Sequence, residues 1–227
     1  MSENNLSEDS LANGHSDQLP EENQLPGGNV PKMPRPNNAP DKPSQIKERL
    51  YLMIIDDGVE AFNAYREQSG FGMLDLSGLD FTGKDLGGIN LGGTNLMGST
   101  FDFCYLADAS FVMANMQRSS AREADFFQAT LEEAELGYAD LYRANFSGTS
   151  MAEVVLTGCS AHEASFIDAD LSGAKLDKAD FKDANFSGAV LNGTTFKNSS
   201  AHWANFDNVE ITDVALLPPL FPPEEEM

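Results

Sequence analysis

The sequence predicts an all-β solenoid, a chain that turns a corner every five residues and stacks successive coils on one another. All 30 positions from 71 to 216, taken in steps of five, are Phe, Leu, Met, Ile or Ala. The position two residues earlier is always small: from Thr94 to Val214, all 25 are Ala, Ser, Thr, Cys or Val. A straight helix would scatter a period of five around its axis, and a straight strand would alternate it between two faces. Once these two structures are excluded, the remaining solution is a coil in which each five-residue segment points two side chains inward.

Composition divides the rest of the chain. The N-terminal segment is rich in Asn, Ser, Pro, Gly and acidic residues, and it has too little apolar surface to offset the entropy of ordering. The segment after it has apolar residues at helical spacing, with Ser44 as a candidate N-cap and Gly58 between two short helices. The predicted order is a disordered tail at 1–43, a helical cap at 44–68, the repeat at 69–216 and a proline-rich acidic tail at 217–227.

The composition also limits the classes of partner. The 227 residues have a formal net charge of −22, which argues against direct nucleic-acid binding, because such binding depends on Lys and Arg. Long-range electrostatics would attract a basic or DNA-binding protein. The two cysteines provide neither a disulfide framework nor metal-ligand spacing, and the N-terminus has no secretory signal. We expect a cytoplasmic protein without a transmembrane segment, or alternatively a secreted effector without a cleavable signal peptide.

The repeat resembles a known family. Segments such as "ADLYRANF" (residues 139–146) and "GKDLGGINLGGTNL" (residues 83–96) are similar to the A(D/N)LXX units of pentapeptide-repeat proteins. The resemblance implies a right-handed quadrilateral parallel β-helix with four five-residue segments per coil. The stretch "GVEAFNAYR" (residues 58–66) also resembles the helical cap of such proteins. Leu74, Leu79, Lys84 and Ile89 break the small-residue rule, so the first coils are expected to be wider or irregular.

This geometry converts the sequence into four surface faces, named here by their central residues. Face A is centred on 71 to 211, face B on 76 to 216, face C on 81 to 201 and face D on 86 to 206, each in steps of 20. Outward positions of faces D and A together carry a charge of −11 and no cation, whereas face B is nearly neutral. Face C mixes aromatic, basic and acidic residues.

The favoured function is a non-enzymatic scaffold or adaptor that binds another protein through face C. Aromatic residues and Arg are enriched in binding hot spots, and a column of Glu123, Arg143 and Glu163 suggests an ion-pair ladder. The candidate partner-binding residues share outward positions on this face: Phe103, Arg122, Tyr142, Arg143, His162 and Trp203.

The alternative is DNA mimicry. Some pentapeptide-repeat proteins occupy the DNA site of type II topoisomerases, and the resemblance implies a similar possibility for the acidic faces D and A. This sequence departs from those relatives, which usually dimerise through a C-terminal helix and some of which have loops that break the repeat. Its repeat is uninterrupted and it ends in "PPLFPPEEEM". The sequence leaves the oligomeric state open. The candidate residues are carboxylates on these two faces: Asp108, Asp125, Glu132, Glu133, Glu153, Asp168 and Asp170.

An enzyme is not expected. His162 and His202 lie two coils apart in one column with Lys182 between them, about 10 Å by strand spacing, which is too far for one zinc ion. No phosphate-binding loop or catalytic triad motif is present, and a filled core offers no pocket. We therefore predict no catalytic residue, no metal and no cofactor.

Overall fold

The computed structural model describes residues 42–70 and 72–212. It begins with helix α1 at Pro43–Leu52, a π-helical turn at Met53–Asp57 and helix α2 at Val59–Ser69. Residues 1–41 of the N-terminal tail predicted at 1–43, and all of the C-terminal tail predicted at 217–227, lie outside the described residues, whereas Lys42 and Pro43 begin α1. Among the residues described, no helix is long and apolar enough to cross a bilayer.

The start of α1 differs from the sequence prediction. The N-cap is Lys42, and Ser44 lies inside the first turn. Pro43 occupies the first helical position, where its fixed φ suits the helix and its missing N–H is not needed. Gly58, with a φ of 89°, separates the π-helical turn from α2, as the sequence predicts.

Beyond α2 the chain forms a β-helix. Isolated parallel bridges join residues 20 apart without a slip, from Asp75 and Asn95 at the start to Val190 and Glu210 at the end. One bridge occurs in every five residues, so each coil has four segments. These segments form faces A to D in the predicted register.

Three inter-coil hydrogen bonds and one turn define each segment. In the first segment, Leu76 N donates to Asn95 O at 2.8 Å, Gly78 N donates to Met97 O at 2.9 Å, and Asn95 N donates to Leu74 O at 2.8 Å. A further hydrogen bond closes the β-turn: the N–H of the residue three positions after a central residue donates to the carbonyl oxygen of that central residue. The third residue of every turn from Gly78 to Asn208 has a positive φ.

The core is a column of large central residues separated by small ones. Leu131, Leu136 and Leu141 are fully buried, which confirms that residues five apart point to one axis. Phe126, Phe146 and Phe166 stack with ring centroids 4.7 and 5.2 Å apart. The interior of the coil is therefore filled by side chains at close contact.

Several polar residues at the small inward position bond to the backbone of the preceding coil. Ser99 Oγ donates to Leu76 O at 2.9 Å, and Thr194 Oγ1 donates to Leu171 O at 2.8 Å. Both hydroxyls thus reach a carbonyl 23 positions earlier in the chain. At these two positions the contact satisfies the hydroxyl donor in a dry core, whereas the buried hydroxyls of Thr94 and Ser119 have no hydrogen-bond partner among the described residues.

The two helices cover the open edge of the first coil. Tyr51 OH donates to Asp80 O at 2.8 Å. Asn63 donates through Nδ2 to Gly88 O at 2.9 Å and accepts from Asn90 N at 2.8 Å. Backbone groups that have no preceding coil are thereby satisfied, as a solenoid end requires.

The first coil keeps the regular bridge register although its inward small positions are occupied by larger residues. Ile89 is buried, Leu74 and Leu79 are partly buried, and the side chain of Lys84 is exposed. The backbone of Lys84 still closes its turn by donating to Phe81 O at 3.0 Å. A Lys is tolerated there because its side chain turns outward from the core.

Candidate interaction surface

Where the outward residue before a central residue is Asp or Asn, it can fix the turn that follows. Asp140 Oδ1, for example, accepts a hydrogen bond from the Tyr142 N–H at 3.2 Å, and Asp180 Oδ1 accepts one from the Lys182 N–H at 3.1 Å. This local contact is an Asx turn, which only Asp or Asn can make in this form. The Asp/Asn position of the repeat therefore positions the side chains that project from each turn.

Side chains on the surface also meet across coils along a diagonal, between positions 18 apart in the chain. Ser150 Oγ donates to Glu132 Oε1 at 2.6 Å, and Ser147 Oγ and Ser165 Oγ are 2.9 Å apart. In each pair the residue after one central residue meets the residue before the central residue one coil later. This diagonal brings together residues that vertical stacking at 20 would keep apart.

Face C brings three of its candidate residues into direct contact. The guanidinium of Arg122 lies 4.8 Å from the centroid of the Tyr142 ring, and that of Arg143 lies 5.0 Å from the same centroid. Arg122 Nη1 pairs with Asp140 Oδ2 at 2.7 Å, and Arg143 Nε pairs with Glu163 Oε2 at 2.7 Å. One tyrosine ring thus holds two arginines, and each arginine has its own carboxylate.

The carboxylates affect the charge state of both arginines. Hydrogen bonding to Asp140 raises the pKa of Arg122, and hydrogen bonding to Glu163 raises the pKa of Arg143. About half of each arginine side chain is exposed to water, so the ion pairs themselves add little to the free energy of folding. Their effect is to fix the position of two planar cations at the surface.

His162 and Trp203 extend this arrangement toward the C-terminal end of face C. His162 Nε2 lies 2.6 Å from Asp180 Oδ2, along the same diagonal. Lys182 Nζ lies 5.1 Å from the centroid of the Trp203 ring. The structure therefore confirms that Arg122, Tyr142, Arg143, His162 and Trp203 share one face, in the columns that the sequence predicts.

The predicted ladder on face C is only half formed. Arg143 contacts Glu163, whereas no hydrogen bond or ion pair joins it to Glu123 within the described structure. Phe103 is 59% exposed and lies at the edge of face C, in the turn that leads to face D. It has no ring or cation contact with the Arg–Tyr cluster among the described residues.

Similarity to known proteins agrees with this geometry. The sequence matches the profile of pentapeptide repeats in eight copies, over residues 75–111, 109–148, 139–177 and 174–213. The chain belongs to the pentapeptide-repeat family. Because other members of the family form right-handed β-helices, we expect this β-helix to be right-handed as well. No curated protein shows significant sequence similarity to the chain.

Several solved structures of pentapeptide-repeat proteins are similar to the chain. A trypsin-treated variant of QnrB1, a plasmid-mediated fluoroquinolone resistance protein, is 19% identical, with 62% of this chain and 88% of that chain covered and a TM-score of 0.43. HetL from the cyanobacterium Nostoc sp. strain PCC 7120 is 21% identical (65% and 92% covered, TM-score 0.22). Rfr23 from the cyanobacterium Cyanothece 51142 is 19% identical (66% and 94% covered, TM-score 0.29). The family assignment rests on the repeat match.

The acidic residues proposed for DNA mimicry in this pentapeptide-repeat protein lie on faces D and A. Asp108, Asp125 and Asp168 are on face D, where Asp125 Oδ1 also accepts from Asn145 Nδ2 at 2.8 Å. The four candidates on face A are outward, and two of them, at successive coils, occupy turn positions with positive φ: Glu132, Glu133, Glu153 and Asp170. The ion pairs Arg122–Asp140 and Arg143–Glu163 both lie on face C, and among the described residues no carboxylate of face D or A has a paired Lys or Arg.

Sequence reasoning missed how Tyr105 is seated at the start of face D. A β-carbon at Gly87 would lie 2.8 Å from the Tyr105 ring, so the ring occupies the space that a side chain at 87 would need. Gly87 does not have a positive φ, and it is therefore required by space and not by backbone conformation. The sequence does contain a sign of this contact: Gly87 and Tyr105 are 18 residues apart, the same separation as the diagonal pairs described above.

Proposed function

We propose that this protein is a binding scaffold that recognises another protein through face C. The observation that supports this proposal is the cluster of Arg122, Tyr142 and Arg143, in which two guanidiniums lie against one ring at the surface of a rigid coil. Tyr and Arg are the residue types that contribute most to protein–protein binding when they are fixed before the partner arrives. A stacked coil with a filled core provides that rigidity.

The shape of the molecule favours binding over chemistry. Central residues fill the axis of the coil, so the functional groups lie on nearly flat outer faces. Flat rigid faces with interspersed aromatic and charged side chains suit a protein partner. Pentapeptide-repeat proteins are in general interaction proteins, which agrees with this proposal.

Removal of two aromatic rings from face C tests the proposal. The double substitution Tyr142→Ala and Trp203→Ala is expected to leave the circular dichroism spectrum unchanged and to reduce capture of the native partner from cell extract at least tenfold. Tyr138→Ala is the matched control, because Tyr138 is an exposed aromatic residue on face B. Equal capture by the double variant and the wild-type protein would exclude face C as the binding surface.

A second candidate function rests on faces D and A. Their described outward positions contain ten carboxylates and no Lys or Arg, across two adjoining sides of the coil. Such a surface would compete with DNA for a DNA-binding protein such as a type II topoisomerase. A gyrase supercoiling assay tests this candidate: inhibition at micromolar protein that is lost in Glu133→Gln with Asp168→Asn would favour mimicry, and no inhibition would remove it.

A further inference from the structure

Three exposed aromatic residues lie near the corner where face C turns into face D. Phe103 is 59% exposed, Tyr105 is 49% exposed and Phe127 is 43% exposed. Phe103 is the last turn residue of face C, and Tyr105 follows two residues later as the first outward residue of face D. Phe127 lies one coil further on, where its carbonyl accepts from the Asp108 N–H at 3.0 Å. The three residues are named here the corner patch.

The corner patch is organised by its surroundings. The Tyr105 ring rests on Gly87, whose missing side chain leaves the space for it. A ring held in one position provides contact area at low entropic cost, because little freedom is lost when a partner binds.

Phe103 contributes an exposed ring to the corner patch from a turn position. Its φ is 60°, and the same position is left-handed in all 27 turns, 16 others of which also have a residue other than glycine there. What distinguishes Phe103 is therefore the exposed aromatic ring and not the backbone conformation.

The charges around the corner patch are mostly negative. Asp85 and Asp125 bridge to Tyr105 from the preceding and following coils, so the ring lies between two acidic positions. The residues next to the other members of the patch are also acidic. The surrounding charged groups are Asp85, Asp102, Asp108, Glu123 and Asp125, with Lys84 and Arg122 as the cations. Arg122 N donates to Asp102 Oδ1 at 2.9 Å, and Arg122 O accepts from Phe103 N at 2.8 Å.

We propose that the corner patch is a docking surface for a basic amphipathic segment of a partner protein, with apolar side chains on the aromatic residues and Lys or Arg side chains on the surrounding carboxylates. Charge complementarity selects this occupant, because five carboxylates repel an acidic segment and the aromatic residues exclude a purely polar one. The surface adjoins the Arg–Tyr cluster of face C at Arg122 and continues around the corner onto face D. It therefore extends the proposed function to an adjoining area with defined chemistry.

A synthetic helical peptide of about five turns, with leucine on one face and lysine on the other, serves as the probe. Its fluorescence anisotropy is measured against the full chain. Wild-type protein is expected to bind it with micromolar affinity, and Phe103→Gly with Phe127→Ser is expected to weaken binding at least tenfold. Tyr138→Gly, which removes an aromatic residue at the same turn position on face B, is expected to change binding less than twofold.

A second pair of variants tests the charges. Asp108→Asn with Glu123→Gln is expected to weaken binding about fivefold, and Glu133→Gln with Glu153→Gln, on face A, less than twofold.

A peptide with serine in place of leucine is expected to bind equally weakly to the wild-type protein and the Phe103→Gly, Phe127→Ser variant. The proposal is overturned if the leucine–lysine peptide fails to bind wild-type protein at 100 µM, or if patch and control variants lose affinity equally. Neither result depends on Tyr142 or Trp203, so failure of this test can be distinguished from failure of the capture test on those two residues.

Discussion

At the third residue of each turn, a single side chain opposes the backbone conformation that the fold requires. The backbone of this residue is left-handed in all 27 turns from Gly78 to Asn208, and 17 of these residues are not glycine. A side chain there costs free energy because its β-carbon approaches the neighbouring carbonyl. Large exposed residues such as Phe103, Tyr138 and Trp203 occupy these positions and are therefore expected to serve the surface at the expense of stability.

Phe103→Gly tests this cost. Glycine adopts the observed φ of 60° without strain, and the exposed ring contributes little packing, so the free energy of unfolding is expected to rise by about 1 kcal/mol. Urea denaturation followed by circular dichroism measures the change. Gly148→Ala is the reverse control, because Gly148 has a φ of 67°, and it is expected to lower the same free energy by a similar amount. A loss of stability in Phe103→Gly would contradict the strain argument.

Asp80 makes the stability of the first coil depend on pH. Hydrogen bonds from Thr82 Oγ1 at 2.6 Å and Thr82 N at 2.9 Å lower the pKa of this carboxyl below its ordinary value of 3.8. Since the folded pKa lies below the unfolded one, the stabilisation is complete above the unfolded value. It is lost as the pH falls through the folded value.

The substitution Asp80→Asn keeps both acceptor contacts and removes the titration. Between pH 6 and pH 2.5 the wild-type protein is therefore expected to lose more unfolding free energy than Asp80→Asn does. Urea titrations at both pH values measure this difference. Asp108→Asn controls for the removal of one negative charge, and an equal pH dependence in wild type and Asp80→Asn would show that the Thr82 contacts are not maintained in solution.

At the scale of the element, helices α1 and α2 take the place that a preceding coil would occupy against the first coil. Asn63 supplies one donor and one acceptor to backbone groups of the first coil, and Arg66 is buried beside them. Burial lowers the pKa of Arg66, although its Nη1 donates to Gly72 O at 3.1 Å. The cap therefore combines apolar cover with specific polar contacts.

Asn63→Ala is expected to lower the free energy of unfolding by about 1–2 kcal/mol, because two hydrogen bonds are lost. Amide hydrogen exchange at Asn90 should accelerate, since its N–H loses its acceptor. Asn63→Asp retains the acceptor and loses the donor, so about half of the effect is expected. Unchanged exchange at Asn90 would mean that the cap does not protect this edge.

The helical elements also show where sequence reasoning reaches its limit. Apolar spacing and Gly58 predict two helices, but the N-cap at Lys42 depends on the geometry of Pro43 in the first turn, which a search for Ser or Asp caps overlooks. Lys84 fits the coil because only its backbone is needed for the turn. Such outcomes depend on side-chain direction, which composition does not specify.

For the whole molecule, the period of five predicts the coil register and every central residue in the described range. The face assignments of the candidate residues follow from the same count. The diagonal of 18 does not, because it depends on the direction in which side chains lean between coils. Arg122 with Asp140 and His162 with Asp180 are both pairs of this kind, whereas the predicted contact of Glu123 with Arg143 is absent from the described structure.

Stability should vary along the stack, because each coil packs only against its neighbours. Phe146 lies between two stacked rings and is fully buried, so Phe146→Ala is expected to lower the free energy of unfolding by about 3–5 kcal/mol. Phe206 in the last described coil is only partly buried, and Phe206→Ala should cost less. Thermal denaturation shows which of the two variants is less stable. Equal losses of stability in both variants would argue against a stack in which each coil is stabilised only by its neighbours.

The four-segment coil restricts how this gene can change length. Deletion of one segment keeps the alternation of large and small inward side chains, but it rotates every downstream column by one face, so that residues of face C would follow the course of face B. Deletion of a whole coil preserves both the interior and the alignment of the columns. Natural variants that retain a binding surface should therefore differ in length by whole coils, whereas insertions of a single segment would preserve folding and scramble recognition.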